Sequence, residues 1–439
     1  MQKHKSKRLT SLIIMAALGA AAIAFFSFGC SPSGEKGDAT RSEKPDKVTA
    51  AGILGNPEYR AISYGGYRTN SRDVQPSVQE LKEDMLLLQA LGIKVLRTYN
   101  THLAQASNIL AAIRELKAED PGFEMYVMLG AWIDCKGAFT ANPDHSVEDV
   151  ESNTAEIAEA VRLANQYPDI VKIIAVGNEA MVKWATSYFV QPGVILKWVN
   201  HLQGLKAKGE LPKDLWITSS DNFASWGGGG AEYHVPDLEK LVRAVDFVSL
   251  HTYPMHDTHY NDDFWGITEA EAGLSKTDQA EAAMDRAVQY AQTQYQQVMD
   301  YVRGLGATDK PIHIGETGWA TSSNGFFSPE GSKAVDEYKS ALYHDGMRAW
   351  TDQAGISCFY FEAFDENWKD APNPGGSENH FGLFTIDGKA KYALWDLVDE
   401  GVFEGLGRGG QPVTKTYDGD EAALLETVAA PPPMPEPAE

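Results

Sequence analysis

Basic charge and cysteine are what this 439-residue chain has least of. It carries 38 lysines and arginines against 61 aspartates and glutamates, a formal net charge of −23. Such a surface repels polyanions, which excludes nucleic acid as a partner and suits a neutral substrate. The three cysteines, Cys30, Cys135 and Cys358, have no neighbouring cluster of histidine or further cysteine, which excludes a zinc-finger type of site. Cys135 and Cys358 read as two unpaired, buried thiols, because spacing alone does not establish a disulfide. A glycine-rich phosphate turn is also missing: after the first strand-like run stands only Y-G-G-Y-R at 64–68. That speaks against a doubly wound sheet built around a dinucleotide.

What is present begins with targeting. Lys3, Lys5, Lys7 and Arg8 precede an apolar stretch over 11–29, which stops at S-F-G-C with Cys30. The stretch has borderline length for a membrane span. The small residues before the cysteine make it resemble a bacterial lipoprotein signal, so residues 1–29 are expected to be removed and Cys30 lipidated. This implies export and a lipid anchor in the cell envelope, at the outer membrane or cell surface, with the lipid as the chain's sole contact with a membrane. Residues 30–56 are polar with scattered Gly and Pro and read as a flexible tether. Residues 409–439 are acidic and end in P-P-P-M-P-E-P-A-E, which reads as a disordered tail.

Between these ends the chain alternates. Strand-like runs fall at 61–67, 93–99, 124–133, 171–179, 215–223, 246–253, 311–319 and 356–364, and amphipathic helical stretches lie between them at 76–91, 104–118, 147–166, 193–208, 277–304 and 332–353. Eight strands separated by helices predict one α/β domain over 57–408, a (β/α)8 TIM barrel, expected to act as a monomer. With 43% hydrophobic residues the chain can fill such a core.

Two of the runs carry the chemistry. V-K-I-I-A-V-G-N-E ends at Glu179, and P-I-H-I-G-E-T-G-W holds Glu316. Each is an apolar, β-branched strand that stops in a carboxylate, and barrel enzymes keep their working groups at that end of the strands. Cleaving a glycosidic bond needs one acid for the leaving oxygen and a second carboxylate beside the anomeric carbon. Tips of the fourth and seventh strands face each other across a barrel mouth, where a gap of about 5–5.5 Å suits a retaining double displacement. Asn178 is placed to bond a sugar hydroxyl. The other strand ends bring Tyr64, Arg97, Tyr99, Trp132, Tyr253, Trp319, Glu362 and Glu366, and so many polar and aromatic groups on one rim read as a sugar site. His251 reads as a buried histidine supporting Tyr253. Trp184, Trp226, Trp265 and Trp368 are further candidates for stacking on sugar rings, with Trp132 and Trp319 preferred. The loop residues His256, Asp257, His259, Asp262 and Asp263 lack a fixed ligand spacing, so no metal and no cofactor is expected.

The segments A-V-G-N-E at 175–179, G-E-T-G-W at 315–319 and F-E-A-F-D-E-N-W-K at 361–369 resemble glycoside hydrolase family 17, as do I-S-Y-G-G-Y and G-I-K-V-L-R-T-Y earlier in the chain. The resemblance implies β-1,3-glucanase or glucanosyltransferase activity on a β-glucan, with Glu179 as acid/base, Glu316 as nucleophile, and Glu366 and Lys369 in support. Hydrolysis of laminarin-like β-1,3-glucan is the leading expectation, transglycosylation with the same acids is second, and a glycan-binding lipoprotein without catalysis is third. Ala320 departs from the family, where proline often follows G-W.

Overall fold

The computed structural model describes residues 48–434. Its centre is a closed barrel of eight parallel strands in sequential order. These are β1 Arg60–Ser63, β2 Ile93–Arg97, β3 Tyr126–Ala131, β4 Val171–Asn178, β5 Trp216–Asn222, β6 Val248–His251, β7 Ile312–Thr317 and β8 Cys358–Tyr360. All eight runs expected from the sequence hold a strand, each shorter than its run. The near-continuous burial of β3, β4 and β7 follows from a parallel sheet covered by helices outside and filled by side chains inside.

The long helices form the outer ring. Val78–Ala90 starts at a capping box, in which Ser77 Oγ accepts from Glu80 N and Glu80 returns a carboxylate to Ser77 N. Pro192–Lys208 begins with its proline in the first turn and stops at left-handed Gly209. Their apolar faces and the outward faces of the strands make one large core. A smaller cluster fills the lower barrel interior: Ala61, Val95, Met128, Ile173, Ala175, Phe247 and Phe359, closed from below by Ala50, Ile53 and Leu54.

That closure corrects the expected tether. Residues 48–56 are part of the domain: Ala50–Ile53 is a one-turn helix capped by Thr49, Ala50 and Ile53 are fully buried, and Gly55 N donates to Ser357 Oγ at 2.9 Å. The apolar A-A-G-I-L segment inside a polar stretch seals the barrel floor. The tail is corrected as well, for residues 409–434 are folded. Gln411–Pro412 pairs with Gly407–Arg408. Glu421–Glu426 is a helix capped by Asp420, and its Leu424 packs with Tyr392, Trp395 and Ala341. Pro432 O then accepts from Ile267 N at 2.7 Å and Met434 N donates to Ile267 O at 3.0 Å. Acidic, proline-rich composition reads as disorder, yet prolines keep their carbonyl acceptors and one well-placed leucine anchors the helix.

A short ribbon of Cys135–Lys136 against Asp144–Glu148 follows β3. Cys135 and Cys358 are buried free thiols. Among the described residues no helix is long and apolar enough to cross a membrane. The signal segment 1–29, Cys30 and the tether through residue 47 lie outside the described residues, as do 435–439.

Candidate active site

The carboxyl ends of the strands surround a cavity of about 1280 Å³. Glu316, near the end of β7, is 5% exposed and faces it. Arg97 at the end of β2 binds one Glu316 oxygen through Nη1 and donates from Nη2 to Asn178 Oδ1 at 2.6 Å. Tyr253 OH donates to Glu316 Oε2 at 2.9 Å. Burial alone would push the Glu316 carboxyl up. The charges of His251 and Arg97, and hydrogen bonds from Arg97 and Tyr99, outweigh burial and hold it at about 2. Glu316 is therefore an ionised, immobilised carboxylate.

Glu179 stands opposite. Gly177 has φ +78° and Glu179 itself φ +45°, so the chain turns sharply as β4 ends. A left-handed non-glycine residue costs about 1–2 kcal/mol, which the surrounding contacts must supply. His251, at the register position beside Glu316 on β6 and β7, joins the two acids. Its Nδ1 lies 3.2 Å from Glu179 Oε1 and 3.3 Å from Glu316 Oε2. Its Nε2 is 2.7 Å from Ser220 Oγ, which lies 2.8 Å from Ser249 Oγ. Gly315 leaves room for this layer, since a Cβ there would come within 2.1 Å of Ser249 Oγ. This accounts for the glycine before Glu316 in G-E-T-G-W. His251 is buried as the sequence suggested, but its partners are the two carboxylates and Ser220, not Tyr253.

The ligating atoms of Glu179, His251 and Glu316 lie within 4.8 Å of one another. The two carboxyl groups therefore meet closely enough to flank one scissile bond from opposite sides. The His251 ring nitrogen thus bridges the two carboxylates. The loop residues weighed as cation ligands are dispersed. His256 pairs with Glu378, His259 stacks on Phe326, and Asp257 accepts from Asn261 and Gln294.

Behind the pair, Lys369 Nζ lies 3.1 and 3.0 Å from the two oxygens of Glu362 and 3.8 Å from Glu366. Burial pushes both carboxyls up, Glu362 strongly, against the opposing charge of Lys369. Glu366 Oε1 is buried without a hydrogen-bond partner, and Glu366 and Lys369 line the cavity. Gly65 makes this approach feasible, since a Cβ there would overlap Glu366 Oε1 at 1.9 Å.

Of the other expected site residues, Asn178, Tyr99, Trp132 and Tyr253 line the cavity, and Trp184 and Trp368 join them. Arg97 and Glu362 stand behind it and act through Glu316, Asn178 and Lys369. Two expectations are corrected. Trp319 is fully buried, its Nε1 donates to Ala334 O at 2.8 Å, and its ring packs on Trp265 and Tyr343. Tyr64 is buried too, with its hydroxyl on Asp84 at 2.9 Å. Both rings leave their strand ends towards the helix layer, so neither can meet a sugar. Trp226 and Trp265 are likewise buried. Sequence reasoning missed Tyr188 and Phe139, which pack on Trp132 at centroid distances of 5.1 and 6.5 Å, Phe139 stacked and Tyr188 tilted. An aromatic residue in the otherwise polar segment 136–144 was the available signal.

The model of the BtgE/BtgC glycoside hydrolase domain matches residues 61–382, which hold both acids and every barrel strand but the first residue of β1. The chain belongs to this family. The family 17 motifs read in the sequence are in keeping with it, and the protein is a glycoside hydrolase. Its fold is very similar to the crystal structure of an endo-laminarinase from Formosa Hel1_33_131, at TM-score 0.87 and 65% identity, covering 89% of this chain and 100% of that one. A glucan 1,3-beta-glucosidase of Arthroderma benhamiae is 27% identical over 359 residues, 79% of this glycoside hydrolase and 92% of the relative. A Rhizomucor miehei beta-1,3-glucanosyltransferase mutant with laminaritriose has TM-score 0.53 at 22% identity, covering 76% and 96%, a likeness of fold.

Proposed function

We propose that this glycoside hydrolase cleaves laminarin-like β-1,3-glucan with retention of anomeric configuration. The observation that carries the reading is the acid pair itself: an ionised, clamped Glu316 with Glu179 across His251. Glu316 attacks the anomeric carbon while Glu179 protonates the departing oxygen. Glu179 then withdraws a proton from the water that releases the sugar from Glu316. Asn178, held by Arg97, is positioned to bond a hydroxyl beside the reacting carbon. Trp132, Trp184 and Trp368 offer ring faces to pyranose C–H groups. The 65% identity to an endo-laminarinase over 89% of this chain supports the choice of glucan. Incubation with laminarin and resolution of the products tests it. Ladders that only shorten support hydrolysis, longer products support transfer to a sugar acceptor, and intact laminarin refutes the reading.

The enzyme works as a lipid-anchored protein of the cell envelope in this proposal, on the strength of the S-F-G-C segment at Cys30, and as a monomer, as expected of a single barrel domain. Labelled palmitate should enter the wild-type chain and not Cys30→Ser, and light scattering of the detergent-free domain should give the mass of a single chain.

A further inference from the structure

Strand β5 grips the chain on both sides of Glu179. Glu179 N donates to Ser220 O at 3.0 Å. Two residues later, Met181 N donates to Asp221 Oδ2 at 2.7 Å. The left-handed Glu179 sits between those two bonds, a conformation that persists only where its neighbours over-determine it. Asp221 is completely buried on β5, and its other oxygen takes Asn222 N at 2.8 Å. It is absent from the cavity lining, so it reaches substrate only through the residue it holds.

We propose that Asp221 is the positioning residue of the acid/base: its carboxylate, seated on the Met181 amide, sets the turn that aims Glu179 at the leaving oxygen. The inference rests on Glu179 as the acid/base of the proposed reaction. Four titratable groups face Asp221, namely Glu179 from the end of β4, His251 from β6, and the phenols of Tyr188 and Tyr233 from the loops after β4 and β5. Burial raises the Asp221 carboxyl, Glu179 adds to the rise, and the two amide bonds and His251 oppose it, leaving it at about 7. Above that pH both oxygens accept hydrogen bonds. Below it one oxygen carries a proton, and the grip on the Met181 amide weakens.

The test separates aiming of the acid from general support of the fold. Asp221→Asn keeps the size of the side chain but replaces one acceptor with a donor. Wild type and D221N are compared on laminarin, whose leaving group needs a proton, and on a 2,4-dinitrophenyl β-laminaribioside, whose leaving group needs none. The expected result is a loss in kcat/KM of at least about 10-fold on laminarin. On the aryl glycoside kcat/KM reports only the attack that forms the glycosyl-enzyme, before Glu179 is needed as a base, so it should stay within about 2-fold, and the pH limb near 7 should vanish from the laminarin profile. Asp221→Glu, which retains an anionic acceptor, is expected to restore part of the laminarin rate and guards against a misfolded D221N. Equal losses on both substrates, no loss on laminarin, or an unchanged pH limb would overturn the proposal. A wild-type enzyme inactive on both substrates would overturn the β-1,3-glucan reading itself.

Discussion

The mouth and the floor of this barrel are built from the same eight strands and solve opposite problems. At the floor, Ala50, Ile53 and Leu54 plug the interior against Ala61, Val95, Ile173 and Phe359. One titratable group there, His313, is simply held neutral: burial lowers it to about 4, and its Nδ1 accepts from Ser357 N. At the mouth, charged groups are buried in larger number and most are held in ion pairs or clusters. Glu316 has Arg97, Tyr253 and His251, while Lys369 has Glu362 and Glu366. Closing a barrel asks only for apolar volume. Keeping a carboxylate ionised out of water asks for opposite charge and donors in fixed places. The floor thus contributes stability, whereas the mouth gives some up to hold strained and desolvated groups ready for chemistry.

Substitutions can break that contrast. The largest effect is expected at Glu316→Gln, where removing the attacking oxygen should lower kcat on laminarin by about 10⁴-fold or more. Added azide should restore turnover as a glycosyl azide of opposite anomeric configuration, detectable by NMR. Arg97→Lys comes next. Loss of the planar fork that spans Glu316 and Asn178 should cost about 10²–10³-fold in kcat/KM. Glu316 then loses part of what holds it at about 2, so its proton is taken up at higher pH and the acid limb of the rate profile moves upward. At the floor, Ile53→Ala should lower unfolding free energy by about 2–5 kcal/mol in denaturant titrations, while kcat stays at the wild-type value. A fall in kcat there would show the two ends to be coupled. The smallest effect belongs to Trp184, 58% exposed on the cavity rim. Trp184→Ala should raise KM for long glucans by about 5- to 10-fold, a loss of roughly 1 kcal/mol of ring contact, with no change in melting temperature.

The barrel was legible because its strands announce themselves. Each is an apolar, β-branched run between helical stretches, and a parallel strand buried on both faces tolerates little else. Glu179 and Glu316 were legible for the same reason, since a carboxylate closing such a run has no place except the rim. The aromatic neighbours were not. Trp319 and Tyr64 sit at strand ends as Trp132 does, yet Trp319 turns to Ala334 and Tyr64 to Asp84. Which way a ring leaves a strand end depends on partners far along the chain. The two chain ends misled in a similar way. A-A-G-I-L reads as part of a polar tether and Leu424 as one apolar residue in an acidic tail, until the barrel floor and the Tyr392–Trp395 surface give them something to cover.

By itself, then, the sequence determined the architecture, the family and the two acids, because periodicity and the placement of a charge after an apolar run are local properties. The tertiary structure alone decided how those acids work. His251 between them, Arg97 holding one, and Asp221 beneath the turn of the other come from separate strands. Electrostatic energies depend on distances across the barrel, and no spacing along the chain encodes those.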